Sequence, residues 1–260
     1  MQKQPVPVQE SSGRRRGYAK DYDPALGEPQ TVIESPAERL AAVYLSFAER
    51  EAHGRSALYE ALARGVANDA RTLFVLAKLP RAKQQPNLLF EAVKYLYGAP
   101  ESWELLRALL GDHFDEINAV IMARSTQTNE PARCATLVPL LATLPPPLAL
   151  LEVGAAAGLC LLPDRYAYDY GGHRIPPTTT DGSTPTFFCR SNRATPLPTA
   201  GLQVVWRAGL DLRPIDLNDS EQVAWLEALV WPDEKDRLSL LRAAIQVARG
   251  DPPPVFQGDL

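Results

Sequence analysis

The sequence predicts an α/β fold in which an all-helical N-terminal region precedes an open parallel sheet. Two observations carry this prediction. Apolar residues recur at three- and four-residue spacing from Ser35 to about Thr143, and after Pro145-Pro146-Pro147 short apolar runs alternate with helical patterns. Strand, helix and strand in that order imply right-handed crossovers and parallel pairing. With 45% hydrophobic and 22% charged residues over 260 positions, the chain has enough apolar material for a sizeable core.

Three regions follow. Residues 1–33 are polar and rich in Pro, Ser and Gly, so a disordered leader is expected there. Residues 34–144 are expected to be helical. Their first helix has a clear start: Ser35 can cap, Pro36 suits the first helical position and Glu38 can complete a capping box. Leu40, Val43, Tyr44 and Phe47 then keep helical spacing, and Leu58/Leu62/Val66, Leu88/Leu89/Val93/Leu96 and Ile117/Val120/Ile121 mark later helices. A further helix is expected from Asn129-Glu130-Pro131, ended by the prolines at 145–147, which lack an amide donor.

Residues 145–260 should hold the sheet. Leu148 to Val153 is nearly continuous in apolar character, as expected of a strand buried on both faces. Leu202 to Trp206, continuing to Asp211, and Val255 to Asp259 are the second and third strands, with helical patterns at 220–230 and 233–248 between them. Residues 166–198 read as an inserted irregular or hairpin segment. Within it, Tyr166, Tyr168 and Tyr170 alternate as in a strand with one packed face.

Composition excludes several functions. A net charge of −4 argues against a broad basic nucleic-acid surface, and the short Arg14–Arg16 cluster reads as a solvated tail. No run approaches the roughly 20 apolar residues of a membrane span, and the N-terminus lacks a secretory apolar core. Cys134, Cys160 and Cys189 are odd in number and widely spaced, which opposes a disulfide framework and points to a cytoplasmic location. His53, His113 and His173 have no metal spacing, so no metal is expected. Serine-hydrolase and P-loop motifs are absent.

The chemistry-bearing feature is three strand ends in series. Glu152-Val153-Gly154-Ala155-Ala156-Ala157-Gly158 follows the first strand, where a glycine turn brings backbone amides close to a ligand and should lead into a helix. Ligands of open α/β sheets lie outside the carboxyl ends of strands. Asp211 ends the second strand, where it could accept from two ribose hydroxyls, and Gly258-Asp259 follows the third, within reach of an adenine amine.

These stretches, Glu152-x-Gly154-x-x-x-Gly158, Gly209-Leu210-Asp211-Leu212 and Gln257-Gly258-Asp259-Leu260, resemble the first three cofactor motifs of class I S-adenosylmethionine-dependent methyltransferases. The resemblance implies a partial Rossmann-like sheet and S-adenosylmethionine as cofactor. It implies the methionine part held by Glu152, Gly154, Ala156 and Gly158, the ribose by Asp211 and adenine by Asp259. Methyltransferases often cover the cofactor's amino-acid end with a helix before the first strand, so Asn129 and Arg133 join the candidate cofactor-binding residues. Asn129 as a helix cap and Glu130 as a dipole complement are the competing structural roles.

A second resemblance, to an uncharacterised bacterial family known as a domain of unknown function, covers most of the chain after Pro36. It rests on Pro86-Asn87-Leu88-Leu89, Thr126-Gln127-Thr128-Asn129-Glu130, Leu159 to Tyr170 and Trp206 to Leu212.

Two departures from the methyltransferase pattern stand out. Ala156 occupies a usual glycine position, and Gly158 and Asp211 stand 53 positions apart, against roughly 20 in an uninterrupted dinucleotide-binding unit. The expected activity is methyl transfer to an unidentified acceptor. No general base is assigned among Glu130, Asp169, Tyr170 and His173. The alternative is a non-catalytic binding protein that keeps the fold, and a nicotinamide-dependent oxidoreductase is third, since G-x-G-x-x-G is missing. The methyltransferase strand order also implies a C-terminally truncated domain, with Leu148–Val153 left open on one side and self-association through that edge.

Overall fold

The structure, a computed structural model, describes residues 35–127, 129–178 and 184–259, so the leader expected over 1–33 lies outside the described residues. Helix α1 (Pro36–Phe47) starts as its sequence dictates: the Ser35 hydroxyl accepts from Glu38 N at 3.2 Å, and Ser35 N donates to Glu38 Oε2 at 2.7 Å. Helices α2 (Ala57–Asn68), α3 (Ala70–Leu76), α4 (Pro86–Tyr97), α5 (Trp103–Asp112) and α6 (Phe114–Ala123) follow. Ser56, Asp69 and Ser102 cap α2, α3 and α5 with their side chains.

Helix α4 is the axis of this layer. Pro86 to Val93 is buried except for a half-exposed Asn87, and Phe90 sits among Tyr44, Phe47 and Tyr59 with ring centroids 5.0–6.1 Å apart. Trp231, from the other half of the chain, closes the cluster against Phe47 and Tyr59. Its indole N–H donates to Asn87 Oδ1 at 3.1 Å. Helical region and sheet region therefore share one continuous core, and residues 35 onward form one compact unit.

The segment from Asn129 does not begin an α-helix at once. Pro131–Arg133 is a 3₁₀ turn, and α7 (Cys134–Leu141) follows it and ends three residues before the first of the three prolines. Strand β1 (Leu148–Val153) comes next. The chain then forms a small separate sheet, β2 (Ala167–Asp169), β3 (Arg174–Ile175) and β4 (Thr186–Phe188), in the order β3-β2-β4. Tyr166, Tyr168 and Tyr170 all point inward, their hydroxyls donating to the carbonyls of Leu159, Pro163 and Ala135 at 2.6–2.8 Å. The period-two alternation thus serves packing, with each buried phenol satisfied.

Strand β5 (Val204–Asp211), helices α8 (Ser220–Ala228) and α9 (Lys235–Gly250), and strand β6 (Val255–Gln257) complete the described chain. The main sheet has the order β1-β5-β6 and is parallel throughout, with Glu152 opposite Gly209 and Asp211 opposite Gln257. A helical N-terminal layer followed by a parallel three-stranded sheet is the predicted α/β, partial Rossmann-like layout. Among the described residues no helix is long and apolar enough to cross a membrane, and no group of His, Cys, Asp and Glu could hold a metal ion.

Two expectations need correction. β1 is not buried on both faces: Leu148 is buried, while Leu151 is 67% and Val153 54% exposed, sharing one open face with Trp206 and Phe256. Burial along β1 thus alternates with the pleat. The glycine turn, moreover, leads into no α-helix. After Gly158 comes a single 3₁₀ turn, Leu159–Leu161, because Pro163 has no amide to donate and disfavours helical backbone at Leu162.

Candidate functional site

An open cleft of about 600 Å³ lies at the carboxyl ends of β1, β5 and β6. Its walls come from Ser125–Gln127 after α6, Val153-Gly154 after β1, Leu210–Arg213 at the end of β5 and Gly258-Asp259 after β6. Of the predicted residues, Gly154, Asp211 and Asp259 line it together. The volume falls in the roughly 300–1,000 Å³ range of small-molecule sites.

The loop from Gly154 to Gly158 is held on two sides. Gly154 has φ 78 and Gly158 φ 72, both in the left-handed region that glycine adopts freely. Nothing stands within 4 Å of where a Gly154 Cβ would be, so the backbone is bare toward the cleft. Ala156 shares the left-handed conformation, with φ 51, although it is not glycine. The pattern's usual glycine is therefore missing in residue type but kept in backbone shape.

Asp211 holds the loop from the sheet. Its Oδ2 accepts from Ala156 N at 2.8 Å, and its Oδ1 accepts from Gln127 Nε2 at 2.9 Å and Arg213 N at 2.8 Å. Asn129 holds it from beneath, with Nδ2 donating to Ala155 O at 3.2 Å and Oδ1 accepting from Leu159 N at 2.9 Å. Asn129 is buried and caps no helix; Glu130 takes that role, accepting from Ala132 N at 3.1 Å, and also pairs with Arg237.

Glu152 and Arg133 sit apart from the cleft walls. Glu152 points to the covered face of β1, opposite to Val153, and its Oε2 is buried without a hydrogen-bond partner. Burial pushes its carboxyl up to about 7, with the Asp211 charge adding to the rise and the Arg133 charge opposing it. Arg133 is exposed on the 3₁₀ turn. Of the candidate bases, Asp169 accepts from Gly171 N, Gly172 N and Arg174, Tyr170 donates to Ala135 O, and His173 Nε2 lies 2.7 Å from Pro198 O. None of these three lines the cleft.

Sequence reasoning missed Gln127 and Arg213, which face both the cleft and Asp211. Arg213 stands two residues beyond the strand-end acid, the signal by which it could have been found. Arg207 is likewise structural and unanticipated. Its guanidinium meets Asp164 in a bidentate pair at 2.8 and 2.9 Å and donates to Leu161 O at 2.7 Å, tying β5 to the segment after the loop. Cys134, Cys160 and Cys189 are free thiols.

No curated protein and no solved structure matches this chain. A family profile described as an uncharacterized protein conserved in bacteria (DUF2332) matches residues 41–260. That span takes in the helical layer, the glycine loop, Asp211 and all three strands of the main sheet, and the chain belongs to this bacterial family.

Proposed function

We propose that the chain is a methyltransferase, or a methyltransferase-derived protein, that takes S-adenosylmethionine into the cleft at the ends of β1, β5 and β6. The observation that carries this reading is the convergence of a bare left-handed glycine loop, a strand-end acid and Asp259 on one cleft of small-molecule size. The cofactor would supply an electrophilic methyl group on a sulfonium, with a thioether as leaving group when the methyl passes in line to an acceptor.

The fit of the residues can be argued atom by atom. Gly154 leaves space for a ligand to lie against backbone. Three donors already occupy Asp211, out of about four acceptor positions of a carboxylate. Ribose hydroxyls would therefore take the remaining position and displace the amide of Gln127, the one side chain among those donors. Glu152 lies off the cleft walls, so it would reach a ligand only through the loop and not by contact. The chain's contribution to rate would be orientation and exclusion of water. Ser125–Gln127 forms the wall from the helical layer and would select the acceptor.

A non-catalytic binding protein is the second reading, favoured by the filled Asp211 and by the absence of an α-helix after Gly158. A cytoplasmic location and self-association through the open edge of β1, the first strand in the order β1-β5-β6, belong to the proposal as well. Titration calorimetry with S-adenosylmethionine, S-adenosylhomocysteine and NAD tests it. Binding of the first two but not of NAD is expected, and no binding of either sulfur ligand sinks the cofactor reading.

A further inference from the structure

Beside the cleft lies a second cavity of about 240 Å³, sharing Ser125, Gln127 and Arg213 with it. Its other walls include Arg124, Asp219 and Trp225. Two cations, Arg124 and Arg213, line it, and a third, Lys83, stands behind them. Arg213 presents an exposed guanidinium at the junction of the two spaces. Lys83, outside the lining, donates from Nζ to Arg124 O at 2.5 Å, and Arg124 packs its guanidinium 5.8 Å from the Tyr95 ring and 6.0 Å from Trp225.

The nearby carboxylates, Asp211, Asp219 and Glu221, form no ion pair with these cations closer than 3.9 Å. Asp219 accepts from Glu221 N, Gln222 N and Gln222 Nε2, so its carboxylate is committed to capping α8. Glu221 approaches Arg124 only at 3.9 Å and is 77% exposed, a pair that contributes little in water. Asp211 accepts from Ala156 N, Gln127 Nε2 and Arg213 N. Neither Lys83 nor Arg213 forms an ion pair among the described residues. Lys83 is held below the ordinary lysine range, by burial first and by the Arg213 charge second. Like charges held close raise one another's energy, and an oxyanion placed between them relieves it.

We propose that this second cavity is an acceptor subsite for a small molecule carrying an oxyanion, a carboxylate or a phosphate, gripped by Arg213 and Arg124 with Lys83 behind them. Its designation as an acceptor subsite rests on the cofactor reading above, because the shared wall of Ser125, Gln127 and Arg213 puts such a molecule next to that cleft. The oxyanion site itself stands on the cations alone.

The test uses the full chain and follows the Trp225 indole N–H by NMR, since that group donates to Ser125 O at 2.9 Å on the cavity wall. Succinate and inorganic phosphate are titrated separately, each with and without S-adenosylmethionine, into wild type, Arg213→Glu, Arg213→Lys and Arg124→Gln. At least one anion is expected to shift the Trp225 signal saturably, and which one does so tells carboxylate from phosphate. Arg213→Glu should weaken that binding at least ten-fold and Arg213→Lys less, so the lysine variant decides the matter if the glutamate variant fails to fold. Saturable anion binding without S-adenosylmethionine binding would remove the cofactor reading and leave the oxyanion site standing. A Trp225 signal unmoved by either anion, or an affinity unchanged in the Arg213 and Arg124 variants, overturns the proposal.

Discussion

Asp211 Oδ2 accepts the amide hydrogen of Ala156 at 2.8 Å, at a point where Ala156 holds the left-handed φ of 51. A strand-end carboxylate thus fixes the conformation that a glycine would otherwise adopt unaided. Left-handed backbone at a non-glycine residue costs about 1–2 kcal/mol, and hydrogen bonds to a charged group return about 1.5–3 kcal/mol. The bond is large enough to hold the loop.

Replacing Asp211 is therefore expected to unmake the loop before it affects any ligand. Asp211→Asn turns one acceptor oxygen into a donor facing N–H groups, and should lower stability by about 2–4 kcal/mol. Urea unfolding followed by far-UV circular dichroism checks this. A loss below about 0.5 kcal/mol would mean that the carboxylate does not hold the loop.

Ala156 itself separates backbone shape from side-chain size. Ala156→Gly should remain within about 1 kcal/mol of wild type, because relief of the left-handed strain offsets greater freedom of the unfolded chain and a lost buried methyl. Ala156→Val should cost more than about 2 kcal/mol, since a β-branched residue is an outlier at positive φ and the site is closed. Equal stability of the two variants contradicts the assigned φ.

Asn129 clamps the loop from below with one donor and one acceptor, both buried. Asn129→Ala leaves the Leu159 amide without a partner and the Ala155 carbonyl with Gly158 N alone, which should cost about 1–3 kcal/mol. Asn129→Asp keeps the acceptor and loses the donor, so hydrogen exchange should rise more at the Leu159 amide in the alanine variant than in the aspartate variant.

Glu152 makes stability depend on pH in a defined direction. Its carboxyl lies near 7 in the folded chain against an ordinary 4.5. Between those values the folded state keeps a proton that the unfolded state has released, so stability falls as pH rises through that window and levels off above it. Glu152→Gln cannot ionise, and its melting temperature should exceed that of wild type at pH 8 by more than at pH 5. A gap that is constant with pH would show that Glu152 titrates normally.

The open face of the main sheet gives a last expectation. Leu151, Val153, Trp206 and Phe256 are each more than half exposed on adjoining strands. Parallel sheets with an uncovered apolar face are rare in isolation, and such a face tends to associate. Leu151→Lys combined with Trp206→Lys should reduce both the binding of a hydrophobic fluorescent dye and the sedimentation coefficient at high protein concentration. Unchanged values for the double variant would place any self-association elsewhere.

Local patterns determined what depends on neighbours along the chain. Ser35-Pro36-Ala37-Glu38 set the start of α1, helical spacing set the layer around Phe90, and the three apolar runs with intervening helices set the parallel strands β1, β5 and β6. Alternating tyrosines set a packed strand at 166–170. These signals are periodic, and periodicity is a property of sequence alone. Tertiary structure decided the rest. Whether a strand is covered on one face or both depends on what packs against it, so Leu148–Val153 read as doubly buried when one face is open. Ala156 keeps a glycine's backbone only because Asp211, 55 positions later, accepts its amide. Asn129 became a clamp rather than a cap, and Arg213 came to line two cavities, through contacts between residues 26 to 86 positions apart. Distances of that kind leave no periodic trace, because the free energy that selects them comes from bringing chain-distant groups together in one folded body.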